Sequence, residues 1–488
     1  MKTGNKKIGV IDTTLRDAPQ CLWATRMTTP HMLPIARKMD QAGFEQIDLA
    51  GAIQFDVCIR YLKEDPWERV RLMRERITHT PLRYLVRSKN LMAFDMLPDD
   101  ILDLWIERVV ANGFSVVGAF DGLNDIDNIL ASVRTAKRMG VKTFGALSYS
   151  VSPVHTDELY VQTAIKLVAS NMVDAIMLKD AAGLLTVDRV RTLIPALKKV
   201  MGDVPLEIHS HCLTGLAPLV YLEAVQCGVD LIHTSIAPMA NGAAQPATQS
   251  MARNLKFLGY GVDVDASIME EVGEHFRRIA IAEGMPLGEV VEYDAFHYAH
   301  QMPGGMLSNF KSQLATAGLE DKYDELLQEV AVIREELGYP IMITPFAQLV
   351  GTQAVLNVVN GERYKVVPNE IKKYALGYYG KLLAPVRPNV LDRIIENGSK
   401  QIPLKPMTPE PAVNELRKKY PSISDDERLL RYMFAGSQVN DMLNNKAPML
   451  DYRQEHSVVA LVRHLASQPK RARIYIARGN FSLDTAGY

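Results

Sequence analysis

Cysteine and long apolar runs are both scarce in this chain of 488 residues. The four cysteines (Cys21, Cys58, Cys212 and Cys227) show no CxxC spacing, so neither a disulfide framework nor a zinc ribbon is indicated. No stretch approaches the roughly 20 apolar residues that cross a bilayer, and the first residues lack the apolar run of a signal peptide. A surplus of positive charge is also missing, because 55 Lys and Arg face 56 Asp and Glu, which argues against nucleic-acid binding. These absences predict a cytoplasmic protein with reduced thiols.

Short apolar or β-branched runs recur about every thirty residues in the first half of the chain, and segments with helical apolar spacing separate most of them. Several of these segments close with glycine, at Gly43, Gly140 and Gly228, and glycine tolerates the left-handed conformation at a helix end. The predicted strands are Lys7–Thr13, Gln46–Leu49, Leu82–Val86, Ser115–Phe120, Lys142–Ser148, Ala175–Leu178, Leu206–His211 and Leu231–Ser235.

Strands that alternate with helices in this way form a parallel sheet with right-handed crossovers. Eight such units match the size of a (β/α)₈ barrel, which is about 250 residues. An open, doubly wound sheet is the rival fold, but no GxGxxG motif follows the first strand to favour it. We therefore predict an α/β fold: a (β/α)₈ TIM barrel followed by a mainly helical C-terminal region.

Patterns in the second half of the sequence indicate how the chain is divided into domains. Residues 306–400 contain helical patterns such as EDKYDELLQEVAVIREELG, and four prolines follow between residues 401 and 411. We predict a barrel domain over residues 1–305, a helical region over 306–400, and a proline-containing linker, helices and a basic tail over 401–488. The basic residues of that tail (Lys470, Arg471, Arg473 and Arg478) are most simply a solvated face.

Barrel enzymes carry their chemistry at the carboxyl ends of the strands, and polar side chains gather there in this sequence. The residues in question are Arg16, Asp17, Arg87, Asn90, Asp121, Asn124, Lys179, Asp180, His209 and His211.

His209 and His211 are two residues apart on a predicted strand, so their imidazoles project from the same face. Two such imidazoles could be hydrogen-bonded rim residues or the start of a divalent-metal site. Asp17, at the same end of the barrel, adds an oxygen ligand and favours the metal site. Zn²⁺, Co²⁺ and Mn²⁺ all accept such a ligand set.

Lys179 needs a separate explanation, because a protonated ammonium has no lone pair and repels a metal. It could pair with the neighbouring Asp180, or it could be carbamylated by CO₂ and become an anionic ligand. Spacing alone favours the salt bridge.

Several long motifs of the barrel resemble one known family: DTTLRDAPQCLWATRM, FDVCIRYLKEDPWERVR, FDGLND, MLKDAAGLLT and LEIHSHCLTGLAP. After the barrel, QMPGGMLSN, GTQAVLNVV and GYYGKLLAPV continue the likeness. These segments resemble the carboxyltransferase family of biotin-dependent enzymes. That family includes the carboxyltransferase domain of pyruvate carboxylase, the oxaloacetate decarboxylase α subunit and the transcarboxylase 5S subunit. The likeness implies that the helical region packs as a funnel over the barrel mouth.

The resemblance also implies roles for individual residues. Asp17, His209 and His211 match the family's metal ligands, and Lys179 matches the lysine that the family carbamylates to bridge the metal. Gln20 and Arg87 match the residues that hold the substrate carboxylate and stabilise its enolate; together with Lys179 they form the predicted catalytic set. Asp56 and Asn90 are predicted to contact the substrate as well. The implied reaction moves CO₂ between carboxybiotin and a 2-oxo acid such as pyruvate or oxaloacetate.

Four departures from the family pattern lie close to these motifs. Ala243 stands where the family has a threonine that shuttles a proton between biotin and substrate, and alanine cannot transfer protons. The segment Ala50–Asp56 reads AGAIQFD where the family has a tryptophan and a threonine. Pro19 replaces a histidine, and Cys21 replaces a serine.

No biotin-carrying Ala/Val-Met-Lys-Met motif occurs in the sequence. We therefore expect biotin to arrive on a separate biotin carrier protein, with a biotin carboxylase or membrane decarboxylase subunits as further partners. By resemblance, we also expect a homo-oligomer, a dimer or larger.

Three alternatives stay open at this point. One is a carbon–carbon lyase or aldolase of the related metal-dependent barrels, of the 3-hydroxy-3-methylglutaryl-CoA lyase or 2-isopropylmalate synthase type. That alternative stays open because Ala243 replaces the family threonine, which acts on biotin. The others are a pseudoenzyme and a non-enzymatic scaffold in a multi-subunit complex, and the scaffold would hold no stoichiometric metal.

Overall fold

The computed structural model describes residues 6–304, 306–307, 310, 314–315, 318–445, 474–478 and 481–485. The chain divides into two compact units, Met1–Ala447 and Pro448–Tyr488. In the second unit, the described residues form two antiparallel strands, β9 (Ile474–Arg478) and β10 (Phe481–Thr485). Most of the predicted basic tail, including Lys470, Arg471 and Arg473, lies outside the described residues.

The first unit contains a closed barrel of eight parallel strands in sequential order, so the predicted TIM barrel is confirmed. β1 pairs with β2 on one side and with β8 on the other, which closes the sheet. All eight predicted strands are present, and their ends lie close to the predicted ones. They are β1 (Gly9–Asp12), β2 (Gln46–Gly51), β3 (Leu82–Arg87), β4 (Val116–Phe120), β5 (Lys142–Ser148), β6 (Ala175–Asp180), β7 (Leu206–Ser210) and β8 (Leu231–Thr234).

Helices follow the strands around the barrel and continue after it. Up to the end of the barrel they are α1 (Asp17–Leu22), α2 (Thr29–Met32), α3 (Ala36–Asp40), α4 (Ala52–Val57), α5 (Pro66–Arg74), α6 (Asp99–Ala111), α7 (Ile126–Arg138), α8 (Asp157–Ala169), α9 (Val187–Met201), α10 (Ala217–Gln226), α11 (Thr248–Phe257), α12 (Ala266–Glu283) and α13 (His297–His300). The later helices are α14 (Tyr323–Glu336), α15 (Phe346–Asn360), α16 (Asn369–Ala375), α17 (Pro388–Asn397), α18 (Val413–Lys419), α19 (Asp425–Met433) and α20 (Gly436–Asn444). Short 3₁₀ turns lie at Leu33–Ile35, Ser88–Asn90 and Glu320–Lys322, and a π-helical turn at Cys58–Leu62.

Local sequence explains where the barrel helices begin. Asp125, Thr156 and Thr186 each precede a helix, and each side chain accepts a hydrogen bond from a backbone N–H in the first turn. Such caps satisfy donors that have no partner within the helix. After α3, Gly43 adopts a φ of +83°, and a Cβ there would meet the carbonyl oxygen of Asp263 at 2.4 Å, so this turn requires glycine.

The helices after the barrel have a core of their own and also reach the barrel mouth. Leu326, Val330 and Phe346 belong to a buried apolar cluster that α14 to α17 share with Leu123, which follows β4. Ile341 and Ile343, between α14 and α15, pack into the barrel's interior cluster. The predicted helical region on the barrel mouth is therefore confirmed.

No helix in the described ranges is long and apolar enough to cross a membrane. The division of the chain near residues 305 and 400, made from the sequence, stays a prediction.

Candidate metal centre and active-site cavity

The three residues predicted as unmodified metal ligands converge at the carboxyl end of the barrel. Oδ2 of Asp17 lies 3.1 Å from Nε2 of His209 and 3.2 Å from Nε2 of His211, and the two Nε2 atoms are 3.3 Å apart. Metal–ligand bonds of about 2.0–2.2 Å place neighbouring ligand atoms about 3 Å apart, so this triangle fits a single divalent ion. The three residues are 2%, 0% and 5% exposed, in that order. One oxygen and two imidazole nitrogens therefore form a buried set that suits Zn²⁺, Co²⁺ or Mn²⁺.

The Asp17 carboxylate is oriented by its neighbour in the chain. Nη1 of Arg16 donates to Oδ1 of Asp17 at 2.6 Å, while Nε and Nη2 of Arg16 donate to Asp48. Burial raises the pKa of Asp17, but the charges of Arg16 and His211 lower it well below its usual range. The carboxylate is therefore ionised, with Oδ2 directed at the two histidines.

The second ring nitrogen of His211 fixes the orientation of that ring. Nδ1 lies 2.6 Å from the carbonyl oxygen of Ala243, and because a carbonyl only accepts, Nδ1 carries a proton. A metal can then bind only at Nε2, the atom that faces Asp17. Burial lowers the pKa of His211, but Cys21 and Asp17 raise it to about 10, so a metal that binds there displaces a proton.

Lys179 lies beside the same cluster, with Nζ 3.3 Å from Nε2 of His209. The salt bridge to Asp180 that spacing favours is not formed. Instead, the Asp180 carboxylate accepts from two backbone N–H groups of the following turn and from the hydroxyl of Ser210. Consecutive residues of a strand point to opposite faces, which separates the two side chains. Burial lowers the pKa of Lys179, although Asp17 acts in the opposite direction.

A cavity of about 230 Å³ adjoins this cluster at the barrel mouth. Asp17, Lys179 and His211 form part of its wall, and Gln20 and Arg87 face it as well. Its apolar wall consists mainly of Ile53, Leu85, Leu91, Met92, Phe120 and Ile343. The arrangement joins a candidate metal site to a small pocket that combines apolar walls with converging polar and charged side chains, which is typical of sites for small molecules.

Arg87 is a cation that faces this cavity and makes few hydrogen bonds to the described residues. Its Nη2 donates to the carbonyl oxygen of Ala93 at 2.6 Å, and its Nε has no hydrogen-bond partner among the described residues. Burial lowers the pKa of Arg87 to about 10, and the charge of Asp56 opposes this change. A guanidinium with unused donors suits a planar carboxylate ligand.

Gln20, the second predicted substrate contact, is held by a residue that sequence analysis did not select. Nε2 of Gln54 donates to Oε1 of Gln20 at 3.2 Å and to the carbonyl oxygen of Arg16 at 3.1 Å. Oε1 of Gln54 accepts from the backbone N–H of Gly51 at 2.9 Å. Gln54 stands where the family pattern has a threonine, so this departure supplies a longer side chain that orients Gln20.

Asp56 and Asn90 are not among the described residues that line the cavity. Asp56 pairs with Arg60, at 2.7 Å between Oδ1 and Nε, and Nδ2 of Asn90 donates to the carbonyl oxygen of Phe94. Their role as substrate contacts stays a prediction.

Gln245 is a further residue of the cluster that sequence analysis missed. Its Nε2 donates to Oδ2 of Asp17 at 2.7 Å and lies 3.2 Å from Nε2 of His211, while its Oε1 accepts from the hydroxyl of Thr13. Gln245 is fully buried. Its position after β8, at the same barrel end as the predicted ligands, is the signal that could have identified it.

Two departures from the family pattern meet at His211. Sγ of Cys21 lies 3.7 Å from Nδ1 of His211, and the carbonyl oxygen of Ala243 accepts from the same nitrogen. The thiol of Cys21 faces the cavity, and Asp17, Cys21 and His211 each offer a ligand atom within 4.8 Å of the others. The sulfur of Cys21 therefore lies beside His211, at the edge of the cavity where Ala243 replaces the family threonine.

Family models, known sequences and solved structures that resemble this chain are mostly those of carboxylases and carboxyltransferases. A family described as "Conserved carboxylase domain" matches residues 298–480, and one described as "HMGL-like" matches residues 121–275. A pyruvate carboxylase subunit from Methanocaldococcus jannaschii is 44% identical over 402 residues, which cover 82% of this chain and 70% of that protein. The methylmalonyl-CoA carboxyltransferase 5S subunit of Propionibacterium freudenreichii is 36% identical over 408 residues, 83% of this chain and 79% of that protein.

A 2-oxoglutarate carboxylase large subunit from Hydrogenobacter thermophilus is 36% identical over 394 residues, 80% of this chain and 60% of that protein. Among solved structures, the carboxyl transferase domain of Rhizobium etli pyruvate carboxylase with oxamate and biotin matches with a TM-score of 0.82. That match has 25% sequence identity and covers 90% of this chain and 78% of that one. The chain therefore belongs to the carboxyltransferase family of biotin-dependent enzymes.

Proposed function

We propose that this enzyme moves CO₂ between carboxybiotin, carried by a separate protein, and a 2-oxo acid of the pyruvate/oxaloacetate type. The observation that carries the proposal is that the Asp17–His209–His211 cluster borders a cavity that the guanidinium of Arg87 also faces. The names of two relatives, a pyruvate carboxylase subunit and a 5S carboxyltransferase subunit, support the same reaction class.

The proposed resident metal is Zn²⁺, Co²⁺ or Mn²⁺, held by Asp17, His209 and His211. When bound, it supplies Lewis-acid polarisation of the substrate carbonyl, which favours the enolate. Lys179 is the proposed fourth ligand, as a carbamate. In support, no carboxylate in the described ranges forms an ion pair with its Nζ, and burial lowers its pKa, which favours the neutral amine that reacts with CO₂.

The protein's own groups account for substrate binding. Arg87 receives the carboxylate of the 2-oxo acid through its unused donors, and Gln20 adds a further hydrogen bond. The apolar wall, with Leu85, Phe120 and Ile343, limits the access of water to the enolate. Because Arg87 is placed to receive a carboxylate, we expect a substrate with a carboxylate next to its carbonyl group.

Three features of the surroundings are proposals as well. Biotin is delivered in trans by a carrier protein, whose own partner is a biotin carboxylase or a membrane decarboxylase. The enzyme works in the cytoplasm, and it assembles as a homo-oligomer. Each follows from membership of the family.

The carbon–carbon lyase alternative rests on the HMGL-like match over residues 121–275. The lysine beside the metal cluster and the relatives' names favour carboxyl transfer instead. The two reactions differ in their need for biotin, so one assay separates them.

The test is oxaloacetate decarboxylation by the full-length, metal-loaded protein with and without free biotin. Pyruvate release that biotin stimulates is the expected result, and Asp17→Asn should abolish it. Asp188→Asn, an exposed carboxylate on α9 with a side chain 94% exposed, is the matched control and should keep full activity. Biotin-independent cleavage of an acyl-CoA substrate, with no action on oxaloacetate, would overturn the proposal in favour of the lyase.

A further inference from the structure

Below the Asp17–His209–His211 cluster, a chain of four buried side chains crosses the interior of the barrel. Nδ1 of His209 lies 3.2 Å from Nδ1 of His233, and Nε2 of His233 lies 3.1 Å from Oε2 of Glu207. Both oxygens of Glu207 accept from Arg83, at 3.0 Å from Nη1 and 2.6 Å from Nη2. Each of the four residues is at most 1% exposed.

The polarity of this chain is determined from its far end. A guanidinium donates only, and its two-pronged contact with Glu207 identifies that residue as a carboxylate, which accepts only. The Nε2 of His233 that faces Glu207 must therefore carry a proton. A neutral His233 then has a bare Nδ1, which can only accept, so the Nδ1 of His209 must donate to it.

The opposite side of the His209 ring faces the proposed metal ligands and does not by itself decide the tautomer. Its Nε2 lies 3.1 Å from the carboxylate oxygen Oδ2 of Asp17, which accepts, 3.3 Å from Nζ of Lys179 and 3.4 Å from the side-chain amide of Gln245. The tautomer of the ring therefore follows from its Nδ1 side, where His233 accepts.

We propose that the Arg83–Glu207–His233 chain is a positioning relay that locks His209 in the tautomer with a protonated Nδ1 and a lone pair on Nε2. Such a partner behind a ligating histidine is usually one carboxylate or carbonyl group. Here the carboxylate acts through an intervening imidazole, and an arginine fixes its charge.

The relay acts on a metal ligand, so this inference rests on the proposed metal centre, but the tautomer can be measured in the absence of metal and substrate. The measurement is long-range ¹H–¹⁵N NMR of the full-length, metal-free protein labelled with ¹⁵N-histidine. His209→Asn and His233→Asn identify the two rings among the chain's 11 histidines. A protonated Nδ1 on His209 together with a protonated Nε2 on His233 is expected; the reverse tautomer on either ring would overturn the relay.

Zinc affinity, measured by competition with a chromogenic chelator, tests the consequence. His233→Leu removes the acceptor and should weaken zinc binding by about 10- to 100-fold. His233→Asn places an amide oxygen near the former Nδ1 and should restore most of the loss. His275→Leu is the matched control, because His275 is also buried, at 2% exposure, but donates to the backbone of His31.

The outcomes separate the possibilities. Equal losses in His233→Leu and His233→Asn, or an equal loss in His275→Leu, would assign the effect to packing and overturn the relay. If the relay is correct and the proposed reaction is wrong, the tautomer and the zinc affinities follow the prediction while oxaloacetate is not decarboxylated. If His233→Leu does not fold, the tautomers in the unmodified protein still decide.

Discussion

Strand β3 carries two arginines, four residues apart, for which we predict opposite responses to the same substitution. Arg87 lies at the strand end and faces the cavity, and its Nε has no hydrogen-bond partner in the part of the chain that the structure describes. Arg83 lies in the barrel interior and pairs with Glu207 through two hydrogen bonds. Arg87→Met should therefore impair catalysis with little effect on stability, whereas Arg83→Met should destabilise the fold.

The size of the catalytic loss follows from the hydrogen bonds that Arg87 offers to a substrate carboxylate. A hydrogen bond to a charged group contributes about 1.5–3 kcal/mol, and a methionine leaves the carboxylate without either partner. A combined loss of about 3–4 kcal/mol lowers kcat/KM by roughly 100- to 1000-fold. A rise in KM is expected if Arg87 binds ground state and transition state equally, and a fall in kcat if it stabilises the enolate.

The stability of Arg87→Met should stay close to that of the unmodified protein. Burial lowers the pKa of Arg87 to about 10, which means that its charged form is disfavoured where it lies. Removal of the charge recovers part of that free energy, and loss of the bond to Ala93 costs about 1 kcal/mol, so the two effects nearly cancel. Arg83→Met leaves Glu207 as an unpaired buried charge and should cost about 3–5 kcal/mol.

The assay combines pyruvate release from oxaloacetate with thermal or denaturant unfolding of the metal-loaded protein. Arg189→Met serves as the kinetic control, since Arg189 donates to the backbone carbonyl of His155, forms an ion pair with Asp157 and does not line the cavity. A kcat/KM for Arg87→Met within threefold of the unmodified enzyme would refute the assignment of Arg87 to the substrate carboxylate. An Arg83→Met variant as stable as the unmodified protein would refute the predicted difference in stability between the two variants.

Three further predictions concern the metal centre and its departures from the family. Lys179→Ala should abolish activity and reduce bound metal, measured by elemental analysis, and full activity with metal still bound would contradict a carbamate ligand. Ala243→Thr should raise biotin-coupled turnover by restoring a proton-bearing side chain, and an unchanged rate would argue that another group, such as Cys21, already does this work. Gln245→Leu should lower zinc affinity several-fold, because Asp17 loses a donor that orients its carboxylate, whereas an unchanged affinity would remove Gln245 from the site.

The fold was predictable because the information is local. Each β-strand is a short apolar run and several of the barrel helices have a capping side chain or a glycine end, so β1 to β8 could be located without knowledge of tertiary contacts. That His209 and His211 lie together could also be predicted, because alternate residues of a strand share a face; their role as metal ligands stays a proposal.

The remaining parts of the site depend on contacts between distant segments. Arg83 and Glu207 are separated by 124 residues, and only the closure of the barrel brings them together. Gln245 lies in a loop without periodicity, and its contact with Asp17 spans 228 residues. The local turn was not predicted either: the 3₁₀ turn Ser88–Asn90 directs the Asn90 side chain to the backbone carbonyl of Phe94, and its contact with substrate stays a prediction.

The central claim, reversible carboxyl transfer through biotin, is tested most directly by isotope exchange. Metal-loaded protein is incubated with oxaloacetate, ¹⁴C-labelled pyruvate and free biotin, and the label that enters oxaloacetate is counted. Our account predicts exchange that rises with biotin concentration and disappears in Asp17→Asn. Exchange no faster with biotin than without it, in protein with a full complement of metal, would contradict the account.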